Sequence, residues 1–151
     1  MGYYLEAVVA AEPLLRAAAA GLPSTRVVPV ARGLALLPMS DALDEAIRTD
    51  DAPLAPFRML PNGFDRTLAA WSEHGPVAYV EADIWGGTGE QAVAVWTRGA
   101  LTLGPLVEAT GSPISLALRR LGATPDGHVD EFDAVGLGRH RRTESWLTQD
   151  G

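Results

Sequence analysis

The residues best able to do chemistry lie between Val77 and Leu103, a stretch reading VAYVEADIWGGTGEQAVAVWTRGALTL. Glu81 and Asp83 stand two positions apart, and on a β-strand that spacing puts both carboxylates on one face. Trp85, Glu90, Gln91 and Trp96 follow, with Gly86, Gly87 and Gly89 between them. Two carboxylates on one face can hold an amine, a partner's arginine or a divalent ion, or exchange protons with a substrate. They can equally pair with arginines of the same chain. The basic cluster Arg139-His140-Arg141-Arg142 is the obvious source, and Gly136 and Gly138 would let it fold back onto the strands with Trp146 packed there. The two readings stay open at this point.

The elements that must position these groups are legible in the same stretch. It alternates apolar and polar residues, turns at Gly86-Gly87-Thr88-Gly89, alternates again, turns at Arg98-Gly99 and alternates a third time. This pattern predicts a three-stranded antiparallel meander. With a four-residue GGTG loop, Trp85 faces Glu90, Asp83 faces Ala92, Glu81 faces Ala94 and Tyr79 faces Trp96, with Val80 on Val95 and Ala82 on Val93 behind them. The first face is then a small-floored acidic recess between aromatic walls. A register slip would move every pair. The glycines suit a turn and bulge, or a loop that a partner approaches closely. A phosphate cradle does not fit, because no helix start and no lysine follows them.

Elsewhere, Tyr3 to Ala10 reads as a strand, and Pro13 suits the first turn of a helix ending near Ala20. Arg26 to Val30 and Leu34 to Leu37 form a hairpin in which Pro29 marks an edge strand. Ser40 opens a helix to about Arg48, with Asp41, Asp44 and Glu45 where the helix dipole favours acids. Residues 49–61 form a proline-rich loop joining two halves of one core, held down by Phe57, Met59 and Leu60. Asn62 caps a helix carrying Phe64, Leu68 and Trp71 on one face. Ser112-Pro113 starts another, with a stripe of Ile114, Ala117, Leu118 and Leu121, and Asp130 caps a short last one. The expected fold is therefore α+β: a mostly antiparallel sheet, made of an N-terminal hairpin and the central meander, covered by helices in a single domain over residues 1–151.

Composition narrows the chemistry. With 12 Lys+Arg against 19 Asp+Glu the net charge is −7, which disfavours nucleic acid and anionic membranes and leaves a basic protein partner open. Every basic residue is arginine, so no P-loop lysine, Schiff base or lysine general base exists. The absence of cysteine excludes disulfides, thiol nucleophiles and cysteine-ligated metals. His74, His128 and His140 are scattered. His128-Val-Asp130-Glu131-Phe-Asp133 reads as a capped helix start better than as a metal site, and no serine sits in a GxSxG elbow. No cofactor or metal is expected. Neither a signal peptide nor an apolar run of membrane-spanning length is present, so a cytoplasmic location is expected.

The combination YVEADIWGGTGEQAVAVW, then LALRRLG, then DEFDAVGLGRHRRTESW resembles small uncharacterised actinobacterial proteins, over most of the chain from Ala78 onward. The GG-x-GEQ hairpin is also similar to hairpins of bacterial immunity-type proteins, over about a dozen residues. That second resemblance implies inhibition of a toxin by direct binding. The leading expectation is a non-enzymatic binding protein, an immunity- or antitoxin-like inhibitor. It would use Glu81, Asp83, Trp85, Gly86, Gly87, Gly89, Glu90, Gln91 and Trp96, with Arg139, His140 and Arg141 beside them. The rival is a small-ligand-binding protein or small enzyme with the Glu81/Asp83 pair in a pocket.

Overall fold

A computed structural model describes residues 2–48, 53–86 and 88–147 of the chain. Among these residues one sheet of six strands, ordered β2-β3-β1-β4-β5-β6, runs antiparallel throughout. The strands are β1 (Gly2–Ala11), β2 (Val28–Pro29), β3 (Leu34–Pro38), β4 (Val77–Trp85), β5 (Thr88–Thr97) and β6 (Ala100–Glu108). The α+β expectation holds, with both the N-terminal hairpin (β2–β3) and the meander (β4–β5–β6) in place. Pro29 lies on the edge strand, where its missing N–H interrupts no ladder. β1 lies between β3 and β4 and so joins hairpin and meander into one sheet.

Helices cover both faces. Leu5, Ala7 and Val9 of β1, with Ala78, Val80, Val93 and Val95, point to one side. There they meet Ile114, Ala117 and Leu118 of α4 (Pro113–Arg120), Val135 of α5 (Glu131–Val135), and Trp146 of α6 (Thr143–Leu147). Val8 and Ala10, with Val77, Tyr79, Ala94 and Trp96, point the other way. They meet Leu15 of α1 (Glu12–Ala19), Leu43 of α2 (Asp41–Ile47), and Phe64 and Leu68 of α3 (Phe64–Trp71). Each fully buried Leu, Val or Ile contributes roughly 1.5–3 kcal/mol, so both layers hold the sheet. Phe57 and Leu60 join the second layer, as expected for the proline-rich loop, while Met59 stays half-buried. The part of that loop over residues 49–52 lies outside the described residues.

Two of the four expected helix caps are in place and two are not. Ser40 caps α2 by accepting the Leu43 N–H at 3.1 Å, and Asp130 caps α5 by accepting the Asp133 N–H at 2.9 Å. Asn62 does not cap α3; Gly63 does, in a left-handed conformation with φ 97°. Ser112 precedes α4 but makes no side-chain cap bond. The last helical turn, α6, was not anticipated.

The hairpin register differs from expectation by two residues. Trp85 pairs with Thr88 across a two-residue turn, so Asp83 faces Glu90, Glu81 faces Ala92, Tyr79 faces Ala94 and Val77 faces Trp96. An even slip preserves which residues share a face, so the dry side and the acidic side keep their membership. Gly89 explains the shorter turn. A Cβ there would stand 2.0 Å from the Asp83 carbonyl oxygen, at φ +147°, so only glycine lets β5 close onto β4 this early.

Candidate functional site

At the β4–β5 hairpin end, the second face of the sheet runs out from under its helices. The side chains there come from paired strand positions: Tyr4, Asp83 and Glu90 in one row, Glu6, Glu81 and Ala92 in the next. The loop bearing Arg58 lies beside them. Pro56, Arg58, Glu81, Asp83, Gly89, Glu90, Ala92 and Val107 line a recess of about 340 Å³. Its floor is small and apolar at Ala92, and its walls are charged.

Glu81 is 5 % exposed and belongs to the protein's own structure. Its carboxylate accepts the Arg58 N–H at 2.9 and 3.1 Å, the Met59 N–H at 2.8 Å and the Tyr79 hydroxyl at 2.7 Å. Two loop amides that would otherwise lack partners are thus tied to the sheet. Burial, with the Glu81 charge beside it, pushes the Tyr79 hydroxyl well above its ordinary range, so this phenol stays a donor.

Asp83 is half-exposed and accepts from Arg58 Nη1 at 2.7 Å. The same guanidinium extends its Nη2 to 3.8 Å from Glu6 Oε1. Pairing with the protein's own arginine is therefore what happens, but the arginine comes from the loop and not from the tail. Glu6 is largely buried, and Thr143 donates its hydroxyl to Glu6 Oε2. Burial raises the Glu6 carboxyl above the usual range, and the neighbouring Glu81 charge adds to this against the hydrogen bond from Thr143. Glu90 is exposed, and no hydrogen bond or ion pair reaches its side chain among the described residues.

Trp85, 60 % exposed, stands at the rim. Its partner across β1 is Gly2, where a Cβ would lie 2.8 Å from the indole and 2.4 Å from the Tyr4 ring. Glycine there lets Tyr4 and Trp85 close over bare backbone.

The remaining expected residues disperse. Gln91 faces the opposite side, where its Oε1 accepts the Ile114 N–H at 3.0 Å and supplies the cap that Ser112 does not. Trp96 is 7 % exposed in the second core layer, opposite Val77; Tyr79, its expected partner, is fully buried in the same layer, so the helices cover this end of the face in either register. Gly86 takes the left-handed turn position at φ +61°, and Gly87 lies outside the described residues. The tail does not return to the acidic face with Trp146. It runs along the exposed edge of β1 beyond the end of β3, where Tyr4 N–H donates to the Arg141 carbonyl and Glu6 N–H to Thr143 Oγ1. Trp146 is buried in the opposite core layer, with Arg139 stacked 5.2 Å from its ring centroid and His140 edge-on at 4.7 Å. Unfilled ladder positions on β1 explain this route better than charge attraction does.

Arg58, Glu6, Tyr4, Pro56 and Val107 also belong to the site, beyond the residues that the sequence pattern singles out. Glu6 carried a signal, being the sole charge in the apolar run GYYLEAVVAA, where a buried carboxylate needs a partner. Arg58 carried none, since its place depends on how the loop folds back. His128 Nδ1 lies 3.1 Å from Asp133 Oδ2, and among the described residues no group of three His, Cys, Asp or Glu side chains could hold a metal ion. Nor is any described helix long and apolar enough to cross a membrane. Comparison of the chain with family models, curated proteins and solved structures finds no match.

Proposed function

We propose that the protein is a non-enzymatic binding protein that engages a basic partner protein through the recess and its aromatic rim. The supporting observation is the unpaired Glu90 carboxylate beside the small Ala92 floor, with Trp85 exposed at the rim. With Glu81, Asp83 and Glu90 against Arg58, the lining carries an excess of negative charge. A partner's arginine would lay its stem along Ala92 and Val107 and its guanidinium between Glu90 and Asp83, while Trp85 packs on the surrounding surface. Inhibition of a basic toxin, as in immunity-type proteins, is the form of this activity that the acidity and the hairpin favour.

Acid–base catalysis gains little support from the same geometry. Glu81 has its oxygens occupied by N–H and O–H donors, and Glu6, whose carboxyl is raised, is not among the residues lining the recess.

The test is affinity capture from lysate of the source organism, comparing wild type with Trp85→Ala and Glu90→Arg. Stoichiometric retention of one basic protein by wild type, weakened at least tenfold by each substitution, is expected for hot-spot residues. Equal retention by all three proteins, or by none, would sink the proposal.

A further inference from the structure

The uncovered sheet face carries its charges in order. Residue 141 of the tail lies beside Tyr4 of β1, Tyr4 pairs with Asp83 of β4, and Asp83 pairs with Glu90 of β5. The Arg142 guanidinium stacks 5.3 Å from the Tyr4 ring centroid, exposed, with no carboxylate among the described residues in ion-pair range. At the other end, Glu90 is exposed and equally without a cation. Strands lie about 4.8 Å apart, so the backbone positions that carry these two uncompensated charges of opposite sign, three spacings apart, are about 15 Å from each other. Between them lie Tyr4 and the Asp83–Arg58 ion pair, with the exposed Trp85 two positions along β4.

A face that is positive at one end, negative at the other, and aromatic with an internally paired Asp83–Arg58 between them is complementary to itself under a two-fold rotation. Rotation about an axis through the Tyr4–Trp85 patch sets each copy's Arg142 on the other's Glu90 and buries both tryptophans at the centre. We infer that, when no partner is bound, this face closes on a second copy of the chain, forming an isologous dimer. The inference extends the binding reading of the recess by naming what occupies it at rest, and a heterologous basic partner would bind in competition with it. At a net charge of −7 per chain the copies repel at long range, so short-range pairing and aromatic contact must carry the association.

Sedimentation equilibrium of the full chain should show a monomer–dimer equilibrium across the micromolar range. R142E and E90R, each confirmed as folded by its thermal transition, should weaken it roughly tenfold or more, since each reversal turns two attractive contacts repulsive. An equimolar mixture of the two variants restores both contacts and should form a heterodimer as tight as the wild-type dimer. A wild-type protein monomeric throughout, reversals that leave the dimer intact, or a mixture that fails to associate would each overturn the inference. The R142E protein separates this question from partner binding. It should still capture a basic partner in the assay above, and its failure to do so, with dimerisation as expected, counts against the heterologous partner alone.

Discussion

A carboxylate whose oxygens already accept N–H and O–H donors holds structure together more than it waits for a ligand. Glu81 illustrates this. Its three donors are the part-buried amides of Arg58 and Met59 and the buried Tyr79 hydroxyl. Glu81→Ala would leave the buried Tyr79 hydroxyl and two part-buried amides without their acceptor, at a cost of about 3–5 kcal/mol, since hydrogen bonds to charged groups are worth roughly 1.5–3 kcal/mol each and do not add fully. Glu81→Gln keeps one acceptor but turns an amide NH2 toward the donors, and should cost about half as much. Urea denaturation checks the order: the midpoint should fall most for Glu81→Ala, less for Glu81→Gln and least for Asp83→Asn at the half-exposed neighbouring position. The sequence showed that Glu81 and Asp83 share a face, because alternation alone decides it. It did not show that one is structural and the other surface-bound, because that depends on a loop some twenty residues earlier folding over the sheet.

Local patterns found most of the elements. Alternation marked the strands of the meander, and Ser40 and Asp130 marked two helix starts through cap chemistry that depends on a single side chain. Failures came where the deciding partner is distant in sequence. Gln91 is the clearest case: a strand residue 23 positions before Ile114 closes the N-terminus of α4. Gln91→Ala should therefore loosen the first turn of α4 and cost about 1 kcal/mol, the usual value of a lost N-terminal cap. Hydrogen exchange at the Ile114 amide should quicken selectively, while the amides of α2, capped by its own Ser40, keep their protection. The hairpin register likewise depends on a contact that local pattern does not show. Four residues of glycine-rich sequence allow either a two- or a four-residue turn, and the contact that chooses, Gly89 against the Asp83 backbone, lies across the strand pair. Because the slip was even, the acidic face survived it. Trp96 is not a wall of the recess, because the helices of the second layer cover the Val77–Tyr79 end of that face.

Across the whole molecule, Glu6 joins parts that are far apart in the chain. Its carboxyl accepts from Thr143 near the C-terminus, faces Arg58 of the proline-rich loop and stands beside Glu81 on the neighbouring strand. The charged groups acting on it are Glu81 from β4, Arg58 from the loop and Glu144 from α6, and of these only Arg58 favours its ionised form. Burial is the largest influence and raises the carboxyl above its usual range. The sign of the pH effect follows. A carboxyl whose pKa is higher folded than unfolded binds its proton more tightly in the folded state, so its contribution to stability is complete below the unfolded value and is lost as pH rises through the folded one. Glu6→Gln, which keeps an acceptor for Thr143 without the charge, should remove that loss. The variant should match or fall below wild type in acid, overtake it as pH rises from the ordinary glutamate range through the raised one, and stay ahead at neutrality. Thermal unfolding of both proteins across that window decides the matter. Parallel curves would mean that Arg58 and Thr143 together fully offset the burial of Glu6, and that the tie between tail, loop and sheet is indifferent to its charge.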